Sequence, residues 1–441
     1  MTSISSTPLL DLAQTISSAT LIITKSQLQE QGELPSFNHH AATNGINGTA
    51  KKAHPLPAPS TKEVLDAKAN LVQAASDLST LALGPANYLK SLSYGYHDIT
   101  ALSVVLEFDI ATAVPLDGDI SFGELSKIVG FDAGRLERIL RLLFIRKIFV
   151  ESRPGHVAHS AVSAHLAKNK ELAAFLGHCT GEAFPAASKL TEAIRKYPHS
   201  EEPNQTGFNL ALGTPDPLFT FLTKNAERFD RFNLGMAGIS QGGGRSAKQV
   251  VEGYDWASLG KATVVDVGGG NGHISIALAQ AYPALALVVQ DLADAIKPGP
   301  ESLPSSLAER VEFQAHDMFT VNPVKGAAVY YLRHILHDWP DSHAVLILKA
   351  LVPVLKDGAR VLVSDSVIPP PGILHGQDER FVRYLDMQMM VLHNARERTE
   401  EDFRRLFEKA DPRLRFQRVW RKGESVAAST ILEAKFVEDG A

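Results

Sequence analysis

The chain has 441 residues, 44% hydrophobic and 21% charged, the balance of a globular protein with material for two or three folded units rather than one small module. Lys and Arg number 44 against 49 Asp and Glu, a net charge of -5 that lacks the basic excess needed to hold phosphate backbones and argues against nucleic acid as the main partner. The single cysteine, Cys179, forms no internal disulfide and no multi-thiolate zinc site; no apolar run reaches the roughly 18 residues of a membrane span, and the opening MTSISSTPLLDLAQTISS lacks the basic region of a signal peptide, so a cytoplasmic protein with no membrane partner is expected.

Residues 1–60 are rich in Ser, Thr, Asn, Pro and Ala and read as a disordered tail and linker, within which Leu9 to Ile23 has the apolar content for one short helix. From Lys62, apolar residues recur at helical spacing through EVLDAKANLVQAASDLSTLALG and HDITALSVVLEFDIATAVP, each closed by Gly or Pro, which predicts two helices. SFGELSKIVG, DAGRLERILRLLFIRKIF and FVESRPGHVAHS then predict helix, turn, helix and a hairpin bent near Pro154 and Gly155, the order of a winged helix. Its second helix carries Arg135, Arg138, Arg141, Arg146 and Lys147. These cations suit a DNA-reading face, but they suit equally the solvent side of a helix that buries Leu136, Ile139, Leu140 and Leu143, and the acidic or neutral surroundings favour the latter.

A helical stretch from Glu171 to Trp256 leads to KATVVDVGGGNGH, where short β-rich runs begin to alternate with helical ones. TVVDV, LALVVQ, RVEFQAH, AAVYYLR and ARVLVSD read as buried parallel strands, and LRFQRVW and SVAASTILEAKF as two further strands joined around Gly423. The expected fold class is therefore α/β: a doubly wound, Rossmann-like sheet with a terminal antiparallel hairpin, preceded by a helical winged-helix domain. The expected limits are 1–60 for the tail, 61–180 for the winged-helix domain and 181–441 for the α/β domain.

The loop Asp266-Val-Gly268-Gly269-Gly270-Asn271-Gly272 joins a strand to a helix, where glycines let backbone amides approach a ligand. Its spacing departs from the dinucleotide pattern G-x-G-x-x-G, with His273 where the third glycine belongs, and this argues against a nicotinamide cofactor. Asp291, at the end of the next strand, is placed to accept hydrogen bonds from both hydroxyls of a ribose, which implies an adenosine-containing ligand; Asp317 is placed for the adenine amino group and Met318 for its ring. The fourth strand ends in Tyr330-Tyr331-Leu332-Arg333-His334-Ile335-Leu336-His337-Asp338-Trp339-Pro340-Asp341. His334 and His337 resemble a metal pair, but no third ligand is clustered with them in sequence, so no metal is expected; Asp338 or Asp341 reads as a cap of the following helix.

The runs VVDVGGGNGH, VVQD, HDMF, YYLRHILHDWPD and NARERTEEDF, in this order, resemble the S-adenosylmethionine-dependent O-methyltransferases of the plant caffeic acid and isoflavone type, and more closely their fungal relatives of the sterigmatocystin type, which methylate polyketide phenols. The resemblance spans residues 62–441 and implies a homodimer whose winged helix serves dimerisation. It implies that Gly268, Gly269 and Asp291 hold the methionine part and ribose of S-adenosyl-L-methionine, Asp317 and Met318 its adenine, with Arg333 where the plant enzymes have Lys. His337 matches the catalytic base, flanked by Glu397 and by Asp365, where the plant pattern has Glu and a longer arm. Phe232, Met236, Met387, Met390 and Asn394 match substrate-contacting segments, and Met389 lies among them. Ile239 stands where relatives carry His, and the loop at Asn394 is shorter than in plants, so the plant substrates do not transfer.

The residue types suit that chemistry. A phenol has a pKa of about 10, so a base must take its proton as the oxygen attacks a sulfonium methyl, and a carboxylate on the far imidazole nitrogen fixes the tautomer. Five side chains, Met236, Met387, Met389, Met390 and Phe232, suit an adaptable apolar pocket, though methionines on helices equally form plain core. Two rivals stand beside this reading: an enzyme of the same fold that methylates N or C or has lost methyl transfer, and a DNA-binding regulator that senses the cofactor.

Overall fold

The computed structural model describes residues 7–29, 36–38, 61–241, 246–370, 373–374, 376–421 and 430–438. The chain divides into two compact units, Met1–Gly181 and Glu182–Ala441.

In the first unit, the tail expectation needs correction. Pro8–Gln29 is a helix, longer than the short segment anticipated, and it docks on helix Lys62–Ser93 by burying Ala19 and Ile23 against Ala67, with Leu71 alongside. Small residues at the contact let the two backbones come close, and a helix of 22 residues in water needs such a partner. Helix Lys62–Ser93 starts at Thr61, whose side chain accepts from the Val64 N–H, and breaks at Gly84, where φ of +68° precedes a Pro85 that offers no N–H. After helix Tyr96–Glu107 come strand β1 (Ile120–Ser121) and helix Phe122–Val129, the latter opened by a capping box between Ser121 and Glu124. Helix Ala133–Ile145 follows, capped by Asp132, then β2 (Val150–Arg153) and β3 (His156–Ala158), which pair with β1 in the order β1-β3-β2. Leu136, Leu140 and Leu143 are fully buried, as the helical spacing predicts, and Ile139 is half-buried. On the outer face Arg141 pairs with Glu137 at 2.6 Å and Glu151 at 3.1 Å, and Arg146 pairs with Asp98, so these cations are answered by carboxylates.

The second unit is built on a sheet of seven strands: β4 (Ala262–Val267), β5 (Leu285–Asp291), β6 (Val311–Ala315), β7 (Val329–Arg333), β8 (Arg360–Ser364), β9 (Leu414–Trp420) and β10 (Ile431–Phe436), in spatial order β6-β5-β4-β7-β8-β10-β9. The first five run parallel, and β10 lies antiparallel between β8 and β9. This matches the doubly wound sheet with an antiparallel pair; the expected turn around Gly423 lies outside the described residues. Side-chain alternation divides the core: Tyr330 and Leu332 of β7 join Val361 and Val363 of β8 on one face, while Val329 and Tyr331 join Leu362 on the other. Helices cover both faces, so the strands read as continuous apolar runs. Strand order reverses between β4 and β7, which opens a crevice at their carboxyl ends.

Candidate active site

The β4 end supplies the first wall of that crevice. Gly268 adopts φ of +74°, a region an L side chain rarely occupies, and a Cβ on Gly269 would stand 2.8 Å from the Asp266 carboxyl group and from Val289 Cγ1. Both N–H groups donate to the Gln290 carbonyl oxygen, at 2.7 and 3.0 Å, so the turn is welded to β5. Asp291 closes it: one carboxylate oxygen accepts the Gly270 N–H at 2.9 Å and the other the Leu292 N–H at 2.7 Å, leaving one lone pair on each. Burial raises the Asp291 carboxyl above the usual range. Asp266, which the sequence reading left without a role, is 3% exposed, accepts the Ser275 hydroxyl at 2.6 Å and is pushed by burial up to about 6, with Arg333 drawing it down in part.

At the neighbouring end of β6, Asp317 is exposed and accepts the Phe319 N–H at 3.0 Å, while Met318 is half-buried against the core. The His316 N–H donates to the Asp291 carbonyl at 2.9 Å, which holds this segment beside the Asp291 wall.

The β7 end supplies the reactive group. His334 turns the chain with φ of +54°, and a short 3-10 turn, Leu336–Asp338, presents His337, which is 7% exposed. Nδ1 of His337 lies 2.9 Å from Oε1 of Glu397, itself 4% exposed. Glu397 arrives there because the chain reverses after helix Gly376–His393 at Asn394 (φ of +57°) and returns along the continuation of β8, with Arg398 bridged to Val367. The fully buried Arg398 guanidinium donates to the Leu336 and Trp339 carbonyl oxygens and to Asp341 at 2.9 Å, clamping the turn that carries His337 to the segment that carries Glu397. The Glu397 N–H donates to Asp386 at 3.0 Å.

Burial works to depress the His337 imidazole, but the carboxylates of Asp338, Glu397 and Asp365 outweigh it and push the group up to about 10. Asp338 is driven up by burial to about 7, against the pull of His337. Its Oδ1 stands 3.6 Å from Nε2 of His337 and 3.7 Å from Nε2 of His393, so it faces two imidazoles. The expectation that Asp338 or Asp341 caps the next helix is corrected: no side chain caps helix Asp341–Leu351, and Asp341 instead holds Arg396 at 2.6 Å and Arg398. Asp365 is 1% exposed; it lies beside the His337 backbone N–H, yet neither carboxylate oxygen makes a hydrogen bond of good geometry, so it joins the cluster without the direct bond that Glu397 makes. A ring nitrogen of His334, one of His337 and an oxygen of Asp365 lie within 4.8 Å of one another, so the fold sets a third potential donor, distant in sequence, beside the histidine pair.

Aromatic rings extend from this cluster. Phe219 packs edge-on to Phe232 at 6.0 Å and tilts against His393 at 5.2 Å and Trp339 at 6.4 Å. Phe232 and Met236 are half-buried on helix Ala226–Gln241, whose Arg228 and Arg231 grip the buried Glu182 carboxylate. Along helix Gly376–His393, Met389 is buried whereas Met387 and Met390 are 45% and 36% exposed. The Asn394 amide nitrogen is committed to the Ser200 and Glu202 carbonyl oxygens at 2.7 and 3.3 Å, leaving its own oxygen for another group. The sequence reading did not single out His393 or Phe219; an aromatic residue and a histidine on helices carry no signal of their own until the fold brings them to one place.

Residues 188–411 match the model of the O-methyltransferase domain. The O-methyltransferase aoiF of Aspergillus oryzae is 36% identical over 392 residues, covering 88% of this chain and 90% of its own length. A chlorophenol O-methyltransferase of Trichoderma longibrachiatum is 36% identical over 373 residues, 83% of this chain and 79% of that one. The crystal structure of OxaC superposes with a TM-score of 0.78 at 23% identity, covering 97% of this chain and 98% of OxaC, a likeness of fold. Matched over half its length by the domain model and over nearly all of it by curated relatives, the chain belongs to the S-adenosylmethionine-dependent O-methyltransferase family.

Proposed function

We propose that this enzyme methylates a phenolic hydroxyl of an aromatic, polyketide-derived secondary metabolite, with His337 as general base. The observation that carries this reading is the buried contact of 2.9 Å between His337 Nδ1 and Glu397 Oε1. It leaves Nε2 as the nitrogen to receive a proton, in the tautomer that Glu397 dictates. The carboxylates of Asp338, Glu397 and Asp365 raise the proton affinity of this imidazole toward that of a phenol, so its neutral form is able to take the phenol's proton. Glu397 at Nδ1, Asp338 facing Nε2 and the nearby Asp365 together stabilise the imidazolium that results. The relative named for chlorophenol methylation supports a phenolic acceptor.

S-adenosylmethionine supplies an activated methyl group on a sulfonium. The residues fit such a ligand: the turn at Gly268 and Gly269, too tightly packed for a side chain, presents the backbone to its methionine part, Asp291 keeps a lone pair on each oxygen for the ribose hydroxyls, and Asp317 and Met318 take the adenine. Arg333 adds a cation beside Asp266. Phe232, Met236, Met387, Met390 and Asn394 line the acceptor side, with Phe219 and His393 joining Phe232 as the aromatic wall. Holding oxygen and methyl in line contributes more than the base does, through effective molarity.

On the same reading, residues 61–180 form a winged-helix dimerisation domain of a cytoplasmic homodimer. The ion pairs of Arg141 and Arg146 favour this over a DNA-sensing regulator. The buried base likewise favours oxygen over an amine acceptor, which needs no such help. Mass spectrometry of methyl transfer to a panel of polyketide phenols, flavonoids, catechols and aromatic amines tests the reading; gain of one methyl on phenols alone is expected, and gain on amines alone refutes it.

A further inference from the structure

We propose that His334, His337 and Asp365 form a binding site for a divalent transition-metal ion of the zinc class, and that its occupancy stops methyl transfer. Among the described residues, these three offer two imidazole nitrogens and a carboxylate oxygen within 4.8 Å of one another. Two imidazoles and a carboxylate are the donor set that favours zinc and its neighbours over magnesium or calcium, which demand oxygen.

Each donor is held for the purpose by a different device. Asp365 is 1% exposed with neither oxygen in a hydrogen bond of good geometry, a buried carboxylate whose charge an ion would neutralise. His337 spends Nδ1 on Glu397 and keeps Nε2, so that Glu397 becomes the outer carboxylate that orients a metal-bound imidazole. His334 reaches the cluster through a left-handed backbone, φ of +54°, and its N–H donates at 3.0 Å to the carbonyl of Ser364, the residue before Asp365. The two ligand-bearing segments are thus tied at His334 itself and one residue before Asp365. Bonds of about 2.0–2.2 Å place tetrahedral donors about 3.3 Å apart, so the cluster must contract by up to about 1.5 Å to hold an ion.

The ion and the acceptor's proton compete for the same lone pair on Nε2. The inhibitory consequence rests on His337 being the base; the binding does not.

Cobalt(II) added to the chelator-treated full-length enzyme reads the site directly. One equivalent per chain with the intense visible absorption of a four-coordinate ion is expected, and both His334→Phe and Asp365→Asn should abolish it. Zinc chloride should inhibit transfer by the wild type, and His334→Phe should need at least ten times more. Absence of the band, or a band that survives in both variants, overturns the site. A band lost in both variants with transfer indifferent to zinc would uphold the site and count instead against His337 as the base.

Discussion

His337 Nδ1 and Glu397 Oε1 meet at 2.9 Å inside the protein although 60 residues separate them, and Arg398 sets that meeting by fastening both segments. The pair leaves Nε2 of the imidazole to take a proton, beside Asp338 at 3.6 Å, and raises its affinity for protons, the two properties a base for a phenol needs.

Replacing His337 by Ala removes the proton acceptor and leaves the glycine turn and Asp291 untouched. Turnover should fall about 100- to 10,000-fold, the usual weight of general-base help. Calorimetry with S-adenosylhomocysteine should find cofactor affinity nearly unchanged; a parallel loss of affinity would place His337 in the cofactor site instead.

The pH profile carries a sign that tests the carboxylates. With His337 held up to about 10, the neutral form grows as pH rises, so kcat/KM should climb through neutral and alkaline pH. Glu397→Gln removes one of the charges that raise the imidazole, so the rising limb should move to lower pH while the plateau rate falls. Asp365→Asn should move it in the same direction. A profile that stays in place in both variants contradicts the assignment.

Asp266 gives a prediction about stability rather than rate. Its carboxyl is raised to about 6 in the folded protein against about 3.9 unfolded, so the folded state binds the extra proton between those values and stability falls as pH rises through that window. The penalty at neutral pH is about 3 kcal/mol, two units at about 1.4 each. Asp266→Asn should therefore raise the melting temperature at pH 7 and lose that advantage near pH 4, measured by scanning calorimetry. A variant less stable than wild type at both would show that the Ser275 contact outweighs the buried charge.

Gly269→Ala adds a methyl group 2.8 Å from Asp266 and Val289, where the backbone is tied to Gln290 and cannot retreat. Overpacking of this kind costs about 1–3 kcal/mol of stability and displaces the turn, so cofactor affinity measured by calorimetry should fall. An unchanged affinity would mean that the turn is not the cofactor's seat.

The strands were legible because a parallel sheet covered on both faces writes itself as short runs of Val, Leu and Ile between glycine-marked turns, as in TVVDVGGG. Asp291 was legible for the same reason, standing at the end of such a run. Glu397 was not, since RERTEED has the pattern of a solvated charge run, and only the resemblance singled it out; its contact with His337 joins segments 60 residues apart and has no local signature. Asp338 was misread as a cap because Asp before a helix normally is one, whereas here burial against two imidazoles wins. Asp365 escaped notice as a companion of His334 because sheet pairing between β7 and β8, not sequence, makes them neighbours. Helix Pro8–Gln29 was underestimated because its stability is borrowed from Lys62–Ser93.

The place of β10 between β8 and β9 bears on how the chain assembles. As synthesis proceeds, β9 emerges with no sheet edge to join, because the seat beside β8 belongs to a strand not yet made. The arrival of β10 then supplies pairing on both sides at once, to β8 through residues such as Leu432 with Val363 and to β9 through Phe436 with Leu414. Completion of the sheet is thereby a late, non-local event, and until then the edge of β8, one residue from Asp365, stands open to pair with the wrong chain.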